Sequence, residues 1–503
     1  MNSDILSFLH DIGLSNSQSR TIESRYHAAL NNGSAPGEIL GVACQAAQES
    51  LGTTQVNLTP FNQALANENW SLSCVASPYC IILPRSASDV AKAIKILSFF
   101  KVKFAVRSGG HSPNPGWSSV GQDGILLDLQ KPNQISLASD KTFCSLGPGA
   151  RWGDVVATLG AQNATVVAAR HPHTGLTLGG GYHYVSTEYG TVADNGRNFE
   201  VVLSNESIVN ANPDENNDLF WALKGGGPNF GIVTRFDVHT IPLNEIWYQL
   251  AIYPQEQAFD ILDTFAQWQQ HEGSSDFKAN IILSLGINSH VVGLVYLAPA
   301  EQTPTAFSPF SALQPLQLVV PATNGTFATL NKAIAPFISA KHMRHDYRGV
   351  SSRVDAQLYK DVYGFWLDRA VTTRAATGAN QTFVLQHVPS NMAAQGIAKG
   401  GNPLGIYHET HQWWTTLVDW EKEEDDDVAR STAIDTVEQW KKLSQERGIS
   451  LPFLFMNDAG RDQNPIAGYG EENINKLRDI SRKYDESQLF QTQRNGGFLL
   501  ACV

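Results

Sequence analysis

Val106-Arg-Ser-Gly-Gly-His111-Ser112 follows the apolar stretch KFAVRS (103–108), which reads as a β-strand. Two adjacent glycines after a strand permit positive φ and let the backbone approach a ligand closely. Successive amides in such a turn converge on an anion such as a pyrophosphate. A second turn of this kind is Gly175-Leu-Thr-Leu-Gly179-Gly-Gly181, and a third is Gly225-Gly-Gly227-Pro-Asn-Phe-Gly231-Ile-Val233. Taken singly, each also reads as a tight turn, a loop or a helix C-cap. Their recurrence within one stretch of chain points to a dinucleotide.

No Rossmann fingerprint accompanies them. The nearest match, Gly147-Pro-Gly149-Ala-Arg-Trp152-Gly153, carries Trp where the third glycine belongs. A dinucleotide site without that loop requires another FAD-type fold.

Around these turns the chain reads as α+β. YCIILP (79–84), KFAVRS, GILLDL (124–129) and TFCSLG (142–147) are short strands. Ser86-Ala-Ser-Asp89 forms a capping box ahead of the helix DVAKAIKILSFF. The helix RWGDVVATLG leads into ATVVAA (164–169), FEVVLSNESIVNA (199–211) reads as a hairpin, NDLFWALKGGG as a helix stopped by glycines, and GIVTRFDVHTIP as a strand. Beyond residue 242 glycine clusters thin out, and strands are expected at ANIILSLGI, HVVGLVYLA and QTFVLQHV among long helices. The division expected is a helical N-terminal segment (1–75) packed on the first domain, a dinucleotide domain (76–242), a substrate domain on an antiparallel sheet covered by helices (243–450), and a closing segment (451–503) that completes the first domain. EKEEDDD (421–427) reads as a solvated charged face.

The chain has 503 residues and a formal net charge of −12, which gives it no general attraction to nucleic acid or an anionic membrane. No apolar run reaches the length of a membrane span. The N-terminus lacks the apolar core of a signal peptide. Sequons stand at Asn32, Asn57, Asn69, Asn163, Asn205, Asn324 and Asn380, and they tilt the expectation toward a secretory route. The five cysteines form no CxxC pair, and one disulfide involving Cys80 is expected. His408-Glu409-Thr-His411 has the wrong spacing for a zinc helix, so no metal is expected.

RSGGHS, GLTLGGG, NDLFWALKGGG and NFGIVTRF, in that order and spacing, resemble the vanillyl-alcohol-oxidase (PCMH-type FAD-binding) superfamily, and most closely its fungal berberine-bridge-enzyme-like oxidases. The likeness covers 79–242 and returns in the tail at Asn457-Asp-Ala, Tyr469-Gly-Glu-Glu-Asn, Lys483-Tyr-Asp and Gly496-Gly-Phe. It implies FAD tethered through its 8α-methyl to His111. It places Arg107, Ser108, Gly109, Gly110, His111 and Ser112, with Thr174, Gly175, Gly179, Gly180 and Gly181, around the pyrophosphate. It places Gly231, Ile232 and Val233 along the adenosine side and Asn457 at the flavin. Many relatives add a cysteine tether to flavin C6. Here that stretch, 166–174, contains no cysteine, so FAD is expected to be monocovalent.

The activity implied is an oxidase. A hydride passes from a small, largely apolar alcohol, amine or activated C–H compound to flavin N5, and dioxygen reoxidises the flavin to give hydrogen peroxide. The setting expected is tailoring of a fungal secondary metabolite, including oxidative cyclisation, by a monomer. The alternatives are a flavin-binding cyclase or scaffold without net redox turnover, and a dehydrogenase that excludes oxygen. For the proton acceptor, Tyr407 and His408 are favoured over Tyr182–Tyr184, His387, His171 and His173.

Overall fold

The computed structural model describes residues 5–31, 36–59, 62–170, 176–337 and 341–503. Its fold begins with the helix Ala87–Phe100. Ser86 caps it, its hydroxyl accepting from the Asp89 amide. Val90, Ala93, Ile94, Leu97 and Phe100 recur at helical spacing and are buried. They share one core with the strands Cys80–Ile82 and Gly124–Asp128 and with N-terminal helices.

The first sheet runs Val56–Leu58, Cys80–Ile82, Gly124–Asp128, Lys103–Arg107, the last three parallel. Val56–Leu58 lies in the segment expected to be helical. It pairs antiparallel with Cys80–Ile82 and so fastens that segment to the sheet. The second sheet is antiparallel and is built around the strand Ile232–Ile241. Ile232 packs into the first core and Val233 into another, as alternation along a strand requires.

The chain leaves this sheet at Ile241 and enters the third at Ile246. That sheet has eight strands among the described residues, in the order Gln317–Gly325, Ile246–Pro254, Ser289–Tyr296, Ala279–Gly286, Asn380–Val388, His411–Trp420, Arg344–Arg353, Ser450–Leu451. One face carries Leu283, Leu285, Phe383, Leu385 and Trp414. It packs on Phe265, Trp268, Tyr359, Tyr363, Trp366 and Trp440 from the helices Ala258–Gln270, Ala356–Thr377 and Asp426–Glu446. The other face turns to the dinucleotide domain, where Tyr248, Leu250 and Val295 share a core with Val155, Val166 and Tyr184.

The acidic run EKEEDDD starts the helix Asp426–Glu446, where carboxylates complement the helix dipole. It is not wholly solvated, because Asp426 accepts from the Arg344 guanidinium and from the Trp420 indole at 2.7 Å.

Cys44 and Cys80 form a disulfide, closing a loop of 36 residues between the helix Pro36–Leu51 and the first sheet. Replacing both by Ala should lower unfolding stability by about 2–4 kcal/mol. Chemical denaturation of the double variant checks this, and an unchanged midpoint would deny the bridge a structural role.

Candidate active site

Strand Lys103–Arg107 delivers the first glycine turn. Arg107 does not reach toward a ligand. Its side chain is fully buried and pairs at 2.5 Å with the equally buried Asp128 of the neighbouring strand. It also donates to Asn69 Oδ1 at 2.8 Å. The guanidinium therefore anchors the turn rather than facing a pyrophosphate. Ser108 donates its hydroxyl to the Pro148 carbonyl. Gly110 has φ +65°, and a Cβ there would sit 3.2 Å from the Glu68 carbonyl, so glycine is required. Ser108, Gly109, His111 and Ser112 are half-buried. The His111 ring stacks on Trp70 at 4.0 Å, and the other face of Trp70 stacks on His345 of the third sheet at 3.6 Å.

The second turn is held from the tail. Asn457 Oδ1 accepts from the Gly181 amide at 3.1 Å, and its Nδ2 donates to the Leu176 carbonyl at 3.2 Å. A Cβ on Gly179 would lie 2.6 Å from Asn457 Nδ2. Glycine here makes room for the asparagine. Thr174 and Gly175, with His171 and His173, lie outside the described residues. Gly231 has no space for a Cβ against Val201 and Val202, and Ile232 and Val233 spend their side chains on the cores. Only backbone of that stretch remains for a ligand.

Between the turns and the third sheet lies a polar cluster that sequence reading did not single out. Arg170 donates to Gln386 Oε1, and Gln386 Nε2 donates to Asp458 Oδ2 at 2.6 Å. Arg170 also lies 4.8 Å over the Tyr182 ring. Burial pushes the Asp458 carboxyl up, against the pull of Arg170 and Gln386. Tyr347 is raised by burial and then by the Asp458 and Asp419 carboxylates. Burial pushes Asp419 up to about 6, with Asn380 opposing. Cross-strand register puts Tyr347 opposite Leu417, His345 opposite Asp419 and Gln386 opposite Trp413. All of these side chains therefore stand on the face turned to the dinucleotide domain. The one sequence cue was position: Asp458 directly follows Asn457.

The favoured bases are Tyr407 and His408. Tyr407 is half-buried and packs on the core around Trp413 and Phe455, and His408 is exposed. Tyr182, His183 and Tyr184 are buried beneath the second turn. Burial and then Arg170 push His183 down to about 3. His387 is buried and bonded to the Gly273 carbonyl, and burial pushes it down to about 4.

Residues 78–212 match the FAD binding domain family. An FAD-dependent monooxygenase of Arthrobotrys oligospora is 37% identical over 441 residues, 87% of this chain and 85% of that protein. The bifunctional solanapyrone synthase of Alternaria solani is 32% identical, covering 86% and 83%. The chain belongs to the family of these fungal FAD-dependent oxidoreductases. The same fold occurs in 6-hydroxy-D-nicotine oxidase of Arthrobacter nicotinovorans, with TM-score 0.72 at 20% identity over 87% of this chain and 96% of that one. It also occurs in glucooligosaccharide oxidase of Acremonium strictum, with TM-score 0.71 at 18% identity over 84% and 92%. The latter is described with 6-S-cysteinyl, 8α-N1-histidyl FAD. The glycine turns and the tail asparagine of this FAD oxidoreductase fit an FAD, and the stretch 166–174 offers no cysteine for a second linkage.

Asp419 makes a pH prediction. An acid raised by folding holds its proton more tightly when folded, so its contribution is present below about pH 4 and is lost as pH climbs to about 6. Asp419→Asn should raise the melting temperature at pH 7, by at most roughly 3 kcal/mol of stability, and should match the parent near pH 4. Calorimetry at both pH values decides it; an equal difference at both would remove Asp419 from the account.

Proposed function

We propose that this chain is an FAD-dependent oxidase of a small, largely apolar alcohol, amine or activated C–H compound, with FAD on the single tether His111. Its setting is fungal secondary metabolism, in which oxidation can trigger cyclisation. The observation that carries this reading is the placement of Asp458. It adjoins the asparagine that holds the second glycine turn, and Gln386 of the third sheet binds it across the gap. A carboxylate so placed meets a substrate lying between sheet and cofactor.

FAD bound there would supply the two-electron redox chemistry, accepting hydride and passing the electron pair to dioxygen. The protein's part is orientation and proton movement. Asp458 accepts the proton released from substrate oxygen, nitrogen or carbon, and Gln386 fixes the carboxylate through Oδ2. The Tyr347 phenol, kept protonated by burial and two acids, donates a hydrogen bond to a substrate oxygen. Val384, Thr415 and Leu417 share this sheet face and give it apolar and hydroxyl surface.

A secretory route is part of the same reading. The Cys44–Cys80 disulfide suits an oxidising compartment, and Asn163, Asn205, Asn324 and Asn380 are exposed. Asn69 is buried against Arg107, so a glycan there is incompatible with this fold.

Acid-precipitated protein should stay yellow, with the FAD mass on the peptide containing His111 and on no other. Complete release of FAD into the supernatant would refute the tether. Substrate addition should bleach the flavin, and peroxide should appear in equal amount without a nicotinamide reductant. Product without bleaching or peroxide would favour the redox-neutral cyclase. A need for reduced nicotinamide would favour the monooxygenase chemistry for which several relatives are named.

Asp458→Asn should slow flavin reduction by about 10²–10⁴-fold. Because the base must be ionised, the parent rate should rise with pH through the Asp458 pKa and level off above it. The variant should lose that acid limb. A variant that reduces at the parent rate would return the role to Tyr407 and His408.

A further inference from the structure

Arg494 lies in the closing segment, just past the short helix Leu489–Thr492. Its neighbours run along the strand that ends in the first glycine turn. The Phe104 amide donates to the Gln493 carbonyl at 3.0 Å, and the Asn495 amide donates to the Phe104 carbonyl at 2.6 Å. Asn495 Nδ2 then bridges the carbonyls of Gly116 and Ser119 at 2.7 and 3.0 Å. On the far side, Arg494 Nη1 donates to the Pro228 carbonyl at 3.3 Å, within the third glycine-rich turn. A Cβ on Gly497 would lie 3.1 Å from the Pro228 ring. The guanidinium thus stands in the seam between the first sheet and the Gly225–Gly231 turn.

Its charge has no visible counterpart. Among the described residues no carboxylate forms an ion pair with Arg494, and its buried Nε has no hydrogen-bond partner. Burial alone pushes its pKa down to about 10. Arg107, at the end of the adjacent strand, shows the alternative: its guanidinium is matched by Asp128. Arg494 is half-buried with its Nε sealed from water, and a guanidinium partly desolvated and unmatched carries a cost that falls when an anion enters. A dinucleotide whose isoalloxazine reaches His111 has its diphosphate to place between these glycine-bearing turns. Arginine is suited to phosphate oxygens, since its fork donates two parallel bonds.

We propose that Arg494 is the counter-cation of the FAD diphosphate, drawn from the tail into the seam between the first sheet and the Gly225–Gly231 turn. The seam is then incomplete without the dinucleotide, and cofactor entry neutralises it. This inference rests on the FAD reading above, and the experiment separates the two.

Flavin-free His111→Ala protein makes FAD binding reversible. Affinity for FAD and for riboflavin, which lacks the diphosphate, is measured by flavin fluorescence in the parent and with Arg494→Met or Arg494→Lys added. Apo melting temperatures are recorded alongside. Arg494→Met should weaken FAD by about 10- to 100-fold, as loss of a charge-assisted bond to phosphate does, and Arg494→Lys by less. Riboflavin affinity should not change. The apo Arg494→Met protein should melt no lower than its parent, because an unmatched charge has been removed. FAD affinity within threefold of the parent would overturn the proposal. So would a parallel loss of FAD, riboflavin and apo stability, which marks a structural arginine. Failure of the parent itself to bind FAD would overturn the FAD reading, and this inference with it.

Discussion

The two hydrogen bonds of Asn457 set the geometry on which the site depends. One end of the amide holds the Gly181 amide and the other the Leu176 carbonyl, so a residue from the tail closes the second glycine turn. The next residue, Asp458, is held by Gln386 of the third sheet. One peptide unit therefore joins the turn to the sheet and fixes the width of the gap between them. The chain passes 208 residues, 243–450, between these halves and needs such a clasp, because neither half alone sets the separation. The 2.6 Å approach to a Cβ on Gly179 explains why side chains are excluded from the turn.

Two kinds of buried charge keep this arrangement. Arg107 and Asp128 compensate each other inside the first sheet, and they contribute rigidity below the His111 turn without chemistry. Truncating either partner alone leaves an unmatched buried charge, which typically costs about 3–5 kcal/mol. Asp458, Asp419 and Tyr347 differ in that burial raises all three without a full ion pair. Asp419, pushed up to about 6, changes charge at accessible pH while Tyr347 keeps its proton, and perturbed groups of this kind mark acid–base sites more than matched pairs do.

The dinucleotide domain was legible because its information is local. A strand, a double glycine and a histidine stand within seven residues at 106–112, and the capping box at Ser86–Asp89 announces its helix. Val56–Leu58 escaped notice because three residues carry no period, and only pairing with Cys80–Ile82 defines them. HQWWTTLVDW, the strand His411–Trp420, was hidden for another reason. It is buried on both faces, so the alternation that marks a half-exposed strand is lost, and its histidine invited comparison with a zinc motif instead. The polar cluster was illegible for a third reason. Arg170, Tyr347, Gln386 and Asp458 are spread over 289 positions and meet only through sheet register and the tail's return. The glycines of the second turn read in the sequence as a close approach to a ligand; in the structure the space a Cβ would take there is filled by Asn457, Leu404, Leu176 and Val192 of the protein itself.

The third sheet divides its labour between faces, and the division bears on how such a site changes substrate. On the helix side, Phe383 touches Tyr363, Trp366, Trp414 and Trp440 at ring separations of 5.5–6.0 Å, so that face is an aromatic core with little tolerance for change. On the cofactor side, Tyr347, Val384, Gln386, Thr415 and Leu417 stand at alternate positions of the same strands. Backbone position is thus set by one face while chemistry is presented by the other. Substitution at a position facing the dinucleotide domain alters that surface without disturbing the strand that carries it, provided the replacement leaves the Gln386–Asp458 bond intact. The aromatic face supplies the rigidity that keeps the 2.6 Å hydrogen bond between Gln386 and Asp458 in register, so the precision of the polar cluster comes from a core on the opposite side of the sheet.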